Sequence, residues 1–108
     1  VMIKTTITNS KRILALELTG HAGSDDPGKD LICAAASVLA YTFAQIVEDK
    51  TFKMKRPPEI EIEKGYAKIR CEPLYSLRPE IKTCLDTVTV GFKLLEYNFP
   101  EYLKLVIQ

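Results

Sequence analysis

The chain alternates between apolar and polar residues in four or five short stretches. Residues 2–8 alternate weakly and residues 13–19 alternate well, with a turn at Asn9 and Ser10 between them. Such a period of two predicts β-strands, and a short polar turn between strands predicts a hairpin. One face of the second strand is predicted to carry Leu14, Leu16 and Leu18.

A second pair of alternating stretches begins after Pro57 and Pro58 and turns at Lys64 and Gly65. Isoleucines alternate with glutamates before the turn, and Ala67, Ile69 and Cys71 alternate with charged residues after it. This pattern predicts a hairpin with one face in solvent. After Pro100, the alternation of residues 103–107 predicts a final strand.

Two longer stretches have helical periodicity. The first covers residues 31–48, with Asp30 as the expected N-cap, and the second covers residues 76–99, where Pro79 leaves the start open. The predicted inward face of the first helix is Leu31, Ala35, Val38, Leu39, Thr42 and Ile46, and that of the second is Ile81, Cys84, Leu85, Val88, Phe92 and Leu95. The order ββαββαβ predicts a single α/β (α+β) domain over residues 1–108, with two helices packed on a mixed sheet.

Composition narrows the classes of function. Fifteen basic and fourteen acidic residues give a net charge of +1, and the only basic cluster, residues 50–56, is interpreted as a solvated loop. We therefore expect no direct nucleic-acid partner. The chain shows neither a signal peptide nor a membrane-length apolar run, so we expect a cytoplasmic protein without a membrane partner. Val1, ahead of Met2, is expected to be an expression remnant.

The three cysteines do not form a recognisable metal or disulfide pattern. An odd number of cysteines without a secretion signal disfavours a disulfide framework, and none has zinc-knuckle or dithiol spacing. His21 is the only histidine, so we expect no metal. Cys71 and Cys84 fall on apolar faces and are predicted to be core residues.

Cys33 is the candidate nucleophile. A loop over residues 20–29 precedes it, and with Asp30 as N-cap it would be the third helical residue. Unpaired N–H groups at a helix start favour a thiolate and can bind an oxyanion, whereas the Asp30 charge opposes ionisation. A protonated His21 close to Cys33 would again favour ionisation of the thiol.

The residues alone leave other interpretations open. A cysteine in an alanine-rich helix is more often a small core residue, and a single histidine at a strand end is more often structural. Ser37, one turn after Cys33, could hydrogen-bond near the site or simply pack. A thiol redox sensor is a further alternative, although Cys71 and Cys84 are remote in sequence from Cys33.

Two neighbouring motifs resemble the signature of a known family. Residues 20–23 read Gly-His-Ala-Gly, and residues 28–37 fit the pattern G-x-D-x-[IV]-C-A-A-x-S. Together they strongly resemble the ribosomal-processing cysteine proteases called Prp. The length of the chain and its predicted order of elements resemble that family as well.

The resemblance implies an activity and assigns roles to residues. Members of the family remove an N-terminal extension from large-subunit ribosomal protein twenty-seven, use a Cys/His dyad without a cofactor, and form homodimers. Cys33 would be the nucleophile and His21 the general base, with Asp30 and Ser37 in support. Ala22, Gly23 and Gly28 would flank the substrate cleft. The alternative is a non-catalytic ribosome-associated binding domain in which Cys33 is a core residue.

Overall fold

The computed structural model of the chain describes residues 2–20 and 27–108. A short 3₁₀ turn, Thr51–Lys53, follows the first helix. The other elements, in chain order, are β1 (Ile3–Asn9), β2 (Leu14–Thr19), α1 (Pro27–Asp49), β3 (Glu59–Glu63), β4 (Tyr66–Cys71), α2 (Arg78–Asn98) and β5 (Leu103–Ile107). The predicted order ββαββαβ is confirmed.

The five strands form one mixed sheet in the order β3-β4-β2-β1-β5. Both predicted hairpins are present, because β1 pairs antiparallel with β2 and β3 pairs antiparallel with β4. The hairpins join through the antiparallel pair β2 and β4. The last strand, β5, pairs parallel with β1, which makes the sheet mixed as predicted.

Both helices cover one face of the sheet. The covered face is built from alternate strand residues that are almost fully buried, among them Ile3, Leu14, Leu16, Ile69 and Leu103. The opposite face is polar and open, and it carries Lys4, Thr6, Thr8, Glu17, Lys68 and Arg70. The period of two therefore sorts apolar side chains to the helix layer and polar side chains to solvent.

The predicted inward face of α1 is wrong for most of its residues, although Leu39 and Ile46 do pack against the core. The side chains that it buries are Ile32, Ala36, Ala40, Phe43, Ala44 and Val47, whereas Leu31 is 69% and Val38 63% exposed. The segment is apolar around most of its circumference, so periodicity alone does not fix which stripe faces the sheet. The buried stripe is rich in alanine, which lets the helix lie close to the strands.

The N-terminus of α1 also differs from the prediction. The helix begins at Pro27, so Asp30 lies in its first turn and is not the N-cap, and Gly28 is helical rather than part of a loop. Proline suits the first turn because its missing N–H would have no partner there. In α2, Pro79 likewise lies at the start of the helix, which begins at Arg78.

By length and composition alone, Asp30–Asp49 within α1 is apolar enough to cross a membrane. In this fold the same helix supplies fully buried residues such as Phe43 and Val47 to the domain core. It crosses α2 where Leu39 lies against Gly91. The apolarity of its inward side is thus explained by the core, whereas that of its outward side is not.

Gly65 in the β3–β4 turn has a backbone φ of 77°, a conformation that side chains with a Cβ disfavour. We expect Gly65→Ala to lower the free energy of unfolding by about 1 kcal/mol. Urea denaturation followed by circular dichroism measures this change. The neighbouring Lys64→Ala is the control, and an equal loss in both variants would contradict the backbone explanation.

Candidate active site

Cys33 opens into a pocket between the N-terminal half of α1 and the end of the sheet. The space in and above the pocket measures about 360 Å³, with the solvent at its open mouth included. It is lined by Ile3, Leu18, Gly20, Cys33, Ala36, Ser37, Tyr41, Glu63, Gly65, Tyr66 and Ala67. The thiol is therefore half-buried and reachable, which a nucleophile requires.

Close backbone packing forms the end of the pocket. The Gly20 N–H donates to the Gly65 carbonyl oxygen at 3.0 Å, which joins the end of β2 to the β3–β4 turn. A Cβ added at Gly20 would lie 3.0 Å from the Ile3 side chain, so a larger residue would push these strands apart. The two glycines let the end of β2, the start of β1 and the β3–β4 turn meet beside α1.

The helical position of Cys33 corrects the electrostatic argument made from sequence. Because α1 begins at Pro27, Cys33 is its seventh residue and not its third. Its N–H lies within the regular i→i−4 ladder, one turn beyond the unpaired N–H groups. The helix dipole therefore favours a thiolate at Cys33 less than the sequence predicted, since the effect fades after the first turn.

The two other cysteines have structural positions, as predicted. Cys71 is buried, and its thiol donates to the Leu14 carbonyl oxygen at 3.5 Å. Burial raises the pKa of the Cys71 thiol to about 11, although the nearby Arg78 charge lowers it in part. Cys84 packs against the core from α2. Neither lines the pocket that contains Cys33.

We expect Cys71 to resist alkylation in the folded protein. With a pKa of about 11, roughly one thiol in a thousand is ionised at pH 8, and the side chain is also buried. Iodoacetamide treatment at pH 8, followed by peptide mass spectrometry, tests this expectation. The same protein in 6 M guanidinium is the control, and labelling of Cys71 at equal rates in both samples would contradict it.

Three pocket residues were missed by the sequence analysis. Tyr41 lies two helical turns after Cys33, so the helical period could have identified it. Glu63 and Tyr66 come from the ends of β3 and β4, and reach the pocket only because β4 pairs with β2. Nothing local in the sequence indicates that pairing.

The pocket combines an apolar floor with a polar rim. Burial, together with the Glu17 and Glu61 carboxylates, raises the pKa of Tyr66 above its ordinary value, so the phenol keeps its proton and can donate a hydrogen bond. Glu63 adds a carboxylate at the same edge. The apolar floor fits a side chain of an extended peptide, whereas the Tyr66 phenol faces the open side of the sheet together with Glu17 and Lys68.

The structure describes some of the predicted site residues and not others. Cys33 and Ser37 line the same pocket, one helical turn apart. Asp30 is exposed in the first turn of α1, one turn before Cys33. His21, Ala22 and Gly23 lie outside the described residues. Within residues 2–20 and 27–108, no group of three or more His, Cys, Asp or Glu side chains is placed to hold a metal.

A reachable thiol on a core helix, beside a small apolar pocket, is the arrangement of a thiol-dependent enzyme. The family described as Cysteine protease Prp matches residues 2–104 of the chain. The chain therefore belongs to the Prp family of cysteine proteases. Comparison with curated proteins finds none that matches this sequence.

Solved structures share the whole fold. SMU.848 from Streptococcus mutans is 27% identical, with a TM-score of 0.74 over 99% of this chain and 94% of that one. An essential ribosomal processing protease Prp from S. aureus, in complex with a substrate peptide, is 22% identical, with a TM-score of 0.76 over 99% and 100%. The same S. aureus protease with a covalently linked product peptide is 23% identical, with a TM-score of 0.75 over 99% and 100%.

Proposed function

We propose that this protein removes the N-terminal extension of large-subunit ribosomal protein twenty-seven by cutting one peptide bond. The observation that carries the proposal is the half-buried Cys33 thiol, which lines the pocket in a chain matched by the Prp family over residues 2–104. A protease of the same fold has been seen with a substrate peptide and with a covalently linked product. Its substrate is made in the cytoplasm, where we propose that the enzyme acts.

The proposed chemistry needs two residues of this chain and a water molecule. The Cys33 sulfur attacks the scissile carbonyl carbon, and the thiol proton passes to His21. When the C–N bond breaks, His21 gives this proton to the leaving amine, and the acyl group stays on sulfur. His21 then takes a proton from water, whose oxygen attacks the thioester and releases the acid and the thiol.

His21 is supported as the base by its place in the sequence. It directly follows Gly20, and Gly20 lines the pocket that contains Cys33. Ala22 and Gly23 come next and are proposed to border the substrate. The Asp30 carboxylate, one turn before Cys33, would favour a protonated His21, and the Ser37 hydroxyl would hydrogen-bond beside the thiol.

The decisive experiment maps the products of cleavage. The protein is mixed with a peptide that carries the extension, and the product termini are read by mass spectrometry. A single cut that separates the extension is expected, with Cys33→Ala and His21→Ala inactive. Full cleavage by either variant would overturn the dyad, and no cleavage by the folded wild type would favour a non-catalytic binding domain.

A second copy of the chain is the proposed partner of the outer helix surface. The outward side of α1 and α2 carries Val38, Val90 and Leu94, which are 63%, 54% and 57% exposed. These residues flank the crossing of Leu39 and Gly91, so both helices contribute to one apolar layer. A two-fold pairing of this layer would bury it on both protomers.

Light scattering after size-exclusion chromatography tests the dimer. The wild type is expected to have twice the mass of one chain, and Val38→Lys combined with Val90→Lys is expected to have the mass of one. Phe52→Ser, which alters an exposed apolar residue elsewhere, should leave the mass unchanged. A monomeric wild type would overturn the proposal.

A further inference from the structure

Three segments that are distant in sequence meet at the end of the domain opposite the pocket. They are residues 9–13, 49–58 and 72–80, which we call the basic end. The Lys55 N–H donates to the Glu72 carbonyl oxygen at 2.8 Å, and the Leu74 N–H donates to the Lys53 carbonyl oxygen at 3.0 Å. Arg78 donates to the Asn9 side chain at 2.9 Å and also to the Ser10 carbonyl oxygen.

The basic end has a local positive charge that is not evident from the net charge of the whole chain. Its three segments contain seven of the fifteen basic residues and only three of the fourteen acidic ones. The remainder of the chain thus holds eight basic and eleven acidic residues. The basic residues of the end are Lys11, Arg12, Lys50, Lys53, Lys55, Arg56 and Arg78.

Two of the acidic residues are already occupied by ion pairs inside the basic end. Glu72, whose side chain is only 10% exposed, pairs with both Lys55 and Arg56. Glu80 pairs with Lys50 at 3.9 Å. The exposed side chains of Lys11, Arg12 and Lys53 add to the positive charge that faces solvent.

Exposed aromatic rings are interleaved with these cations. Phe52 is 73% exposed and Tyr75 is 89% exposed, and they come from two different segments of the basic end. The Lys53 ammonium lies 5.8 Å from the centre of the Phe52 ring. Lys53 covers one face of Phe52, so the other face of this ring and the ring of Tyr75 are exposed to a flat ligand.

We propose that the basic end binds single-stranded nucleic acid, with bases stacked on Phe52 and Tyr75 and phosphates near Lys11, Arg12 and Lys53. Aromatic platforms beside a cationic surface are how proteins hold unpaired strands, because every base offers a face for stacking. In a duplex, neighbouring bases cover those faces. An acidic peptide would not require two exposed aromatic rings for its binding. This proposal replaces the expectation that nucleic acid is not a partner, which was drawn from the net charge and from the interpretation of residues 50–56 as a solvated loop.

The basic end is far enough from Cys33 to be occupied during catalysis. The helix α1 runs between them, and 17 residues at 1.5 Å each separate Cys33 from Lys50 by about 25 Å. A strand held at the basic end would leave the pocket open. If the proposed function holds, that strand is ribosomal RNA, and the enzyme would be tethered where its substrate assembles.

Fluorescence anisotropy of labelled 15-nucleotide strands tests the proposal without any need for proteolysis. Full-length Cys33→Ala protein is titrated into single-stranded RNA, single-stranded DNA of the same sequence, and the RNA duplex. We expect a Kd of about 10 µM for single strands at 50 mM salt, a log–log salt slope of about −2, and weaker binding of the duplex. A clear preference for RNA over DNA would support ribosomal RNA as the ligand.

Matched variants distinguish binding of the strand at the basic end from general electrostatic attraction to the rest of the protein. Replacement of Lys11, Arg12 and Lys53 by serine should weaken binding at least 10-fold, whereas replacement of Lys64, Lys93 and Lys104 should change it less than twofold. Tyr75→Ser and Phe52→Ser should each weaken it about fivefold or more, and Tyr97→Ser, which is equally exposed, should not.

Three results would overturn the proposal. One is the absence of anisotropy change with any strand at 50 mM salt. Another is an equal loss of binding in the basic-end variants and the matched controls. The third is binding of anionic phosphatidylglycerol vesicles, lost in the basic-end variants, when no strand binds. Loss of proteolysis alone would leave the binding result intact, so the two proposals fail separately.

Discussion

Replacement of Cys33 by alanine is expected to lower kcat/KM for the extension peptide by at least about 1,000-fold. The substitution removes the only thiol that lines the pocket described here, and the remaining Ser37 and Tyr41 hydroxyls are much weaker nucleophiles than a thiolate. The side chain is half-buried and small, so the free energy of unfolding should change by less than about 1 kcal/mol. Cys33→Ala should therefore lose its cleavage activity but keep the stability of the wild type.

Initial cleavage rates and urea denaturation of the same protein samples make this comparison. Cys84→Ala is the matched control, since Cys84 is also half-buried on a helix but lies on α2. It should retain more than half of the wild-type rate. If Cys33→Ala cleaves the peptide at that rate as well, Cys33 is a packing residue and is not the nucleophile of the reaction.

Strand positions were predictable because each strand has one buried face and one solvated face. Leu14, Leu16 and Leu18 alternate cleanly, and their burial follows directly from the period of two. The pairing of the hairpins was not predictable, because it joins β2 to β4 across more than forty residues. Periodicity describes each strand by itself and carries no information on which neighbour it meets.

The first helix shows where periodicity stops being informative. Leu31 and Val38 are as apolar as Ile32 and Phe43, so two stripes of the same helix were both plausible as the inward face. The stripe that carries the alanines faces the sheet, since their small side chains let the helix lie close to the strands. Had the outer stripe been polar, the correct face would have been evident.

The candidate site was predicted in part. The motif identified Cys33 and Ser37, which share the pocket. The helix N-cap predicted at Asp30 was wrong, because proline and glycine at residues 27–28 suggested a loop. Proline is compatible with both a loop and the first helical turn, so sequence alone does not decide between them. Tyr66 and Glu63 required the tertiary pairing of β2 with β4.

We expect Ser37→Phe to lower kcat/KM by about 100-fold or more by filling the pocket. Ser37 lines the pocket one turn after Cys33, and a ring at this position would occupy the space that the substrate side chain needs. The loss should appear mainly in KM, because the thiol itself is unchanged. Cleavage kinetics over a range of peptide concentrations separate the two parameters.

Two further substitutions show whether the volume added inside the pocket causes the loss of cleavage in Ser37→Phe. Val38→Phe adds a ring one residue later, on the outward side of α1, and should leave cleavage within twofold of the wild type. Ser37→Ala removes the hydroxyl without adding volume, so a loss there would point to its hydrogen bond instead. Iodoacetamide should still alkylate Cys33 in Ser37→Phe, since the reagent is much smaller than a peptide. Normal peptide cleavage by Ser37→Phe would mean that the substrate does not use this pocket.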